Sequence, residues 1–287
     1  MDILRQNKRT ITVEFLGALI LSILSGVAVT WQNYYYAAIG CVNINARDLM
    51  LLFGPFAAVM TWIAYNISGA HFNPIITIGT MLTGKTSMLK GVLILISQIW
   101  GYCIGGAVVL GIVPNLVLTM GLNLENGKRN LPISKGVGFE APQAYRDNGF
   151  SLALLASESI SAMILYFGYY LGSSLKNCTS RGMGVVMGLS YMIAIALSSG
   201  TTGGLANPVL ILGQLVWRQG GLGPILFSDD LGWVLLAGPT GAAIISCLTF
   251  PLIFKLTSPF SAGRGKQAHQ DNTQNTLQEG LNPDQSE

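Results

Sequence analysis

Charged side chains are scarce in this chain of 287 residues. Lys, Arg, Asp and Glu together make up 10% of it, whereas a soluble domain carries about 25%. Hydrophobic residues make up 51%, and the net charge is only +3. This balance excludes a strongly basic surface for nucleic acid. It predicts a chain that is embedded in a lipid bilayer.

Histidine and cysteine are scarce as well, with two and four copies. The histidines are His71 and His269, and the second lies in a polar tail. No apolar segment pairs a nucleophile with a base or groups metal ligands, and the cysteines show neither metal-binding spacing nor an evident pairing. The sequence therefore predicts no enzyme activity, no metal and no cofactor.

Long uninterrupted apolar runs are what the chain has in abundance. Runs of about 17–25 residues suit helices that cross roughly 30 Å of hydrocarbon. Lipid admits only helices or closed barrels, and the runs lack the alternation of barrel strands. Two runs, 74–83 and 208–217, are too short to cross. Six spans are predicted, at 11–30, 48–66, 88–113, 151–173, 183–199 and 231–256.

The distribution of Lys and Arg predicts the orientation. With the N-terminus inside, ten of these residues fall in cytoplasmic segments and six in outside segments. The positive-inside rule then predicts both termini in the cytoplasm, in either the plasma membrane or an intracellular one. Residues 257–287 are polar and rich in Gln and Asn, which is typical of a disordered tail.

The chain contains an internal repeat. The stretches SGAHFNPIITIG and TTGGLANPVLILG place Asn73 and Asn207 at an offset of 134 residues, each followed by proline (Pro74 and Pro208), and three pairs of glycines match at the same offset. Each half has three spans, and because three is odd, the second half enters the membrane inverted. Many transport proteins are built in this way, with a site at the midplane.

Each Asn-Pro pair predicts the start of a short helix. Asn is a favoured N-cap and Pro suits the first helical position. About ten residues span roughly 15 Å, or half of the membrane. Entry from opposite sides brings both helix N-termini to the centre, where their partial positive charges oppose cations. If each Asn carbonyl caps its own helix, its amide N–H groups are left to donate to a neutral molecule in the lumen.

With these motifs the sequence resembles the aquaporin, or major intrinsic protein, family over about residues 10–256. SGAHFNP is similar to the family's first signature and TGGLANPV to a degraded second one, while EFLG, SQIWG and GPTGAA resemble its helix patterns. The resemblance implies an all-α membrane fold with six transmembrane helices and two re-entrant half-helices. Its inverted 3+3 repeat forms a channel domain over residues 1–256, with halves at about 10–113 and 150–256. A homotetramer is also implied.

The resemblance assigns candidate site residues to three groups. Glu14 and Glu158 would accept hydrogen bonds from the re-entrant loops, and His71 would lie at the cytoplasmic mouth. The central motif comprises Asn73, Pro74, Ile75, Asn207, Pro208 and Val209. The selectivity filter comprises Phe53, Ile195, Gly204 and Leu210. Leu210 stands where arginine is usual, and Ile75 and Val209 stand where alanines are usual, which marks a divergent member.

The predicted function is a passive channel for water, with protons and ions excluded by the helix dipoles. Loss of the arginine leaves an apolar filter with fewer donors. Such a ring favours small neutral solutes such as glycerol, urea or hydrogen peroxide, or it obstructs water by dewetting. A gated or nonconducting member therefore stays open as an alternative. A coupled secondary transporter fits less well, because such a mechanism usually needs ionisable residues near the site and the spans supply no convincing set of them. The expected partners are water, neutral solutes, lipid and further copies of the chain.

Overall fold

A computed structural model gives the conformation of most of the predicted channel domain. The chain forms one compact unit over Met1–Cys247 and a second over Leu248–Glu287. Only Thr249 of the second unit is described, so the predicted tail lies outside the described residues. The described residues are 2–38, 46–119, 152–175, 178–198, 206–210, 212–213, 245 and 249.

Helices account for almost all of the described chain. They are α1 (Asp2–Ala38), α2 (Ala46–Ser68), α3 (Pro74–Leu82), α4 (Met88–Thr119), α5 (Leu152–Ser174) and α6 (Ser180–Ser198). These helices coincide with the first five predicted spans and the first predicted half-helix. Within the described residues, four segments are long and apolar enough to cross a membrane: Leu4–Ala28, Met50–Ser68, Met88–Val109 and Ser180–Ser198.

The C-terminal half is described less completely. Residues 208–210, 212 and 213 are helical, directly after Asn207, as predicted for the second half-helix. Of the sixth predicted span only residues 245 and 249 are described, and both are helical.

Helix α4 extends beyond the third predicted span, 88–113. It continues through Pro114 to Thr119, although the residue before a proline tends to leave the helical region. Proline removes only one backbone donor, and the residues that follow it, Asn-Leu-Val-Leu-Thr, are largely apolar. The backbone N–H and C=O groups of these residues are therefore satisfied best by helical hydrogen bonds.

Glycines allow the helices to pack closely in pairs. A Cβ atom on Gly188 of α6 would lie 2.8 Å from the Gly54 carbonyl oxygen of α2, and one on Gly101 of α4 would lie 2.5 Å from the Phe15 carbonyl oxygen of α1. Any larger residue would push these helices apart, as expected for packing in lipid. Gly54 and Gly188 are one of the three glycine pairs that match at the repeat offset. Two equivalent positions of the repeat are therefore in contact.

The outward faces of the helices carry large apolar side chains. Ile63 is 64% exposed, Trp100 62% and Leu197 53%. A water-soluble chain would bury such residues, whereas lipid tails solvate them. The fold therefore presents an apolar exterior and encloses its polar groups.

Candidate functional site

The first re-entrant segment turns sharply between α2 and α3. Asn73 has an extended backbone and acts as the N-cap of α3, because its side-chain oxygen accepts a hydrogen bond from the Ile75 N–H at 3.0 Å. Pro74 occupies the first helical position, where its missing N–H leaves no donor unsatisfied. The prediction that this Asn-Pro pair starts a short helix is confirmed.

The residues that precede the two asparagines share an unusual conformation. Phe72 and Ala206 have φ angles of 46° and 42°, in the left-handed region, although neither is glycine. Such residues cost of order 1–3 kcal/mol each and persist only where the surroundings hold them. They also lie 134 residues apart. The turn is therefore a repeated feature, and the contacts that hold it have to compensate the strain.

Glu14 is the main anchor of the first turn. This carboxylate lies on α1 and is fully buried. One oxygen accepts from the His71 N–H at 2.9 Å and from the Ser68 hydroxyl at 2.7 Å. The other accepts from the Phe72 N–H at 2.8 Å and from the Gln98 amide at 3.0 Å. Glu14 thus holds the strained loop through its backbone.

Glu158, the predicted counterpart of Glu14, lies on α5 and is buried, with 1% of its surface exposed. The loop that the prediction assigns to it, residues 199–205, lies outside the described residues. Its role as the anchor of the second turn stays a prediction.

The two asparagine side chains join the two re-entrant loops through reciprocal hydrogen bonds. The Asn73 side-chain amide donates to the Ala206 carbonyl at 3.0 Å, and the Asn207 amide donates to the Phe72 carbonyl at 3.3 Å. Both asparagines are buried. We call these four residues the central layer. This geometry differs from the expectation that the amides are left to donate to the lumen, because each amide donates to the backbone of the opposite loop.

A tyrosine that sequence reasoning missed completes the central layer. The Tyr102 hydroxyl on α4 donates to the Phe72 carbonyl oxygen and accepts from the Asn207 amide, with a separation of 2.8 Å in the second bond. A lone tyrosine in an apolar span gives no periodic signal, so only its position after the SQIWG pattern could have drawn attention to Tyr102.

His71 lies in the turn itself. Its Nδ1 is 3.2 Å from the Thr77 hydroxyl of α3, and its ring meets the Tyr169 ring edge-on at 5.4 Å. The imidazole is 4% exposed. The Tyr169 hydroxyl in turn donates to the Gly69 carbonyl at 2.9 Å. These contacts fasten the loop to α3 and α5, and the predicted place of His71 at the cytoplasmic mouth stays a prediction.

Three of the four predicted filter residues share one apolar cluster. Phe53, Ile195 and Leu210 pack in it together with Val209, and they are 2%, 0% and 3% exposed. Gly204, the fourth, lies outside the described residues. The cluster brings α2, α6 and the second half-helix together, but its role in selectivity stays a prediction. Ile75, the other bulky replacement in the motif, is fully buried.

A lysine clamps the loop after α3. Lys85 Nζ donates to the Tyr170 carbonyl at 3.2 Å and to the hydroxyls of Ser173 and Ser174 at 2.7 Å each, at the C-terminal end of α5. It also lies 4.3 Å from the centre of the Tyr170 ring. Partial burial lowers the pKa of Lys85 to about 8. The clamp ties the first half-helix to the second half of the chain.

The described residues group no three His, Cys, Asp or Glu side chains that could hold a metal ion. Their polar groups instead converge on the turn and on the central layer. This fold and site define a membrane channel built from an inverted repeat, with half-helices that begin at facing asparagines.

Comparison with known proteins identifies the family. The family model for Major intrinsic protein matches residues 4–250, so the chain belongs to this family and is an integral membrane protein. It is 30% identical over 251 residues to Aquaporin-4 from Notomys alexis, covering 86% of this chain and 67% of the relative. It is 25% identical over 247 residues to Aquaporin A from Dictyostelium discoideum, covering 83% and 75%.

A solved structure has the same fold. The aquaglyceroporin from Plasmodium falciparum matches with a TM-score of 0.63 and 19% sequence identity, covering 84% of this chain and 94% of that one. The predicted fold, with six transmembrane helices and two re-entrant half-helices, is confirmed by this likeness and by the family model.

Proposed function

We propose that this chain is a passive channel for water that also admits small uncharged solutes and excludes protons and ions. The observation that carries the proposal is the central layer, in which Asn73 and Asn207 meet at the starts of two half-helices. Membership in the major intrinsic protein family and the names of its aquaporin relatives support it. No catalytic activity and no cofactor are proposed.

Electrostatics accounts for the exclusion of ions. Each helix N-terminus carries roughly +0.5 of an elementary charge, and both are directed at the central layer. The nearby carboxylate, Glu14, already accepts four hydrogen bonds. Its oxygens are therefore not available to coordinate a passing cation. A neutral solute with acceptor oxygens meets no such barrier.

Osmotic shrinkage of liposomes tests the function. Purified protein is reconstituted at a known density, and stopped-flow light scattering is recorded with an impermeant osmolyte and then with glycerol or urea. We expect water flux above that of empty liposomes, with a low activation energy and no dependence on a counter-ion. Rates equal to those of empty liposomes at matched density would refute the proposal.

We further propose that Phe53, Ile195, Gly204 and Leu210 set the selectivity. The joint burial of three of them supports this, and a glycine at the fourth position would leave a gap. Leu210→Ala should widen the ring and raise the ratio of glycerol or urea flux to water flux. Ile94→Ala, at a fully buried position of α4 outside that cluster, is the control. Both changes should cost about 2–5 kcal/mol of stability, and equal flux ratios would remove Leu210 from the filter.

The orientation and assembly are proposed with the function. Both termini are placed in the cytoplasm on the distribution of Lys and Arg, and a homotetramer is proposed from family membership. Accessibility of a C-terminal tag in sealed cells tests the first. Light scattering of detergent-solubilised protein, corrected for bound detergent, tests the second.

A gated channel is a second candidate, favoured by a specific observation. Asn73 is 0% exposed and Asn207 2%, and the Asn207 amide donates a hydrogen bond to the Tyr102 hydroxyl. A permeating molecule that bonds to Asn207 would have to displace this bond. This burial favours a channel whose central layer opens and closes.

A further inference from the structure

Tyr102 contacts both re-entrant loops in the central layer. Its side chain is fully buried, and its hydroxyl is placed between the two re-entrant loops. The hydroxyl accepts from the Asn207 amide at 2.8 Å and donates to the Phe72 carbonyl oxygen. One group of the channel thus bonds to a donor of the second loop and to an acceptor of the first.

Close packing holds Tyr102 in this place. The Tyr102 carbonyl accepts a hydrogen bond from the Ser22 hydroxyl of α1 at 2.9 Å. On another side, a Cβ atom on Gly213 would lie 2.7 Å from the Tyr102 carbonyl carbon and oxygen. The Tyr102 backbone is therefore packed between α1 and the second half-helix. Displacing the hydroxyl requires rotation of the side chain, because this backbone has little room to move.

The phenol offers the same hydrogen bonds as a water molecule. A hydroxyl is one donor and an acceptor, and here it uses both functions on groups that water would otherwise use. The Asn207 amide has two N–H donors, and the Phe72 carbonyl and Tyr102 occupy them. A water molecule that bonds to the Asn207 amide therefore has to replace Tyr102 or the Phe72 carbonyl there.

We propose that Tyr102 is a conductance-determining residue of this channel. Its hydroxyl takes the place of the central water molecule, and flux depends on rotation of the ring away from Asn207 and Phe72. This inference rests on the proposed channel function. It assigns the opening of the central layer to one side chain of α4, a position that none of the filter or motif assignments includes.

Two substitutions separate the hydroxyl from the ring. Tyr102→Phe keeps the ring and leaves the Asn207 amide and the Phe72 carbonyl free to bond to water. Tyr102→Ala also removes the ring, which makes room for several water molecules at about 30 Å³ each. Tyr166→Phe is the matched control. Tyr166 is equally buried and its hydroxyl donates to the Gly79 carbonyl at 3.0 Å, within α3 and away from the central layer.

The experiment measures water permeability per channel in liposomes for the parent and these three variants, each shown to be monodisperse before reconstitution. We expect Tyr102→Ala to raise permeability roughly tenfold, the factor that corresponds to about 1.4 kcal/mol in a barrier. Tyr102→Phe should give a smaller rise together with a lower activation energy. Tyr166→Phe should match the parent.

Three outcomes would overturn the inference. A parent that conducts water, with Tyr102→Phe and Tyr102→Ala at the same rate, would reject Tyr102 while the channel function stands. A rise in Tyr102→Ala alone would reject the role of the hydroxyl. If the parent and all variants match empty liposomes, both the proposed function and the inference fail.

Discussion

Glu14→Gln should strongly destabilise this channel. The carboxylate accepts four hydrogen bonds, two at each oxygen. Glutamine keeps one oxygen and replaces the other with an NH₂ group, which is a donor. That group would face two further donors, for example the Phe72 N–H and the Gln98 amide, in a site from which water is excluded.

The magnitude follows from the bonds that are lost. A hydrogen bond to a charged group contributes about 1.5–3 kcal/mol, so the loss of two amounts to about 3–6 kcal/mol. The strained Phe72 backbone would also lose its hydrogen bond to Glu14, which further lowers the stability of the variant. Since folded domains are stable by only about 5–15 kcal/mol, the variant should lie near the limit of folding.

Unfolding in mixed micelles at increasing SDS, followed by tryptophan fluorescence, measures this change. Ser97→Ala is the control, because Ser97 is the buried neighbour of Gln98 and its hydroxyl donates only within α4, to the Ile94 carbonyl at 2.7 Å. Its neutral bond should contribute about 1 kcal/mol. If Glu14→Gln is no less stable than Ser97→Ala, Glu14 does not anchor the loop.

Two further predictions concern charge. Asn207→Asp should raise the sodium and proton leak of liposomes, because a carboxylate attracts cations to the positive helix ends. It should also lower the free energy of unfolding by about 2 kcal/mol or more, because the donor to the Phe72 carbonyl is lost. The control is Asn66→Asp, at an exposed position of α2, and an equal leak in that variant would contradict the prediction. The lowered pKa of Lys85, about 8 against 10.5 unfolded, means that the unfolded chain binds more protons between these values, so the stability contribution of Lys85 should rise from pH 8 to 10.5. Unfolding of the parent and of Lys85→Met across this range measures it, and identical pH profiles would refute it.

The sequence alone determined the membrane class and the plan of the fold. Scarce charge and long apolar runs require helices in lipid, since each unpaired backbone group there costs several kcal/mol. The repeated Asn-Pro pairs predicted where the half-helices begin, because capping depends on neighbouring residues only. Glu14 was recognisable as well, since a carboxylate inside an apolar span needs partners.

The partners themselves were decided by the tertiary structure. Asn73 and Ala206, or Tyr102 and Asn207, lie more than one hundred residues apart, and no local pattern states that they meet. Whether a tyrosine in an apolar helix faces lipid or the protein depends on the rotation of that helix. Here the rotation is set by close contacts such as that of Gly101 with α1 and of Gly213 with α4. The buried central layer is therefore a consequence of helix packing, because packing alone determines which side chains reach the two half-helices.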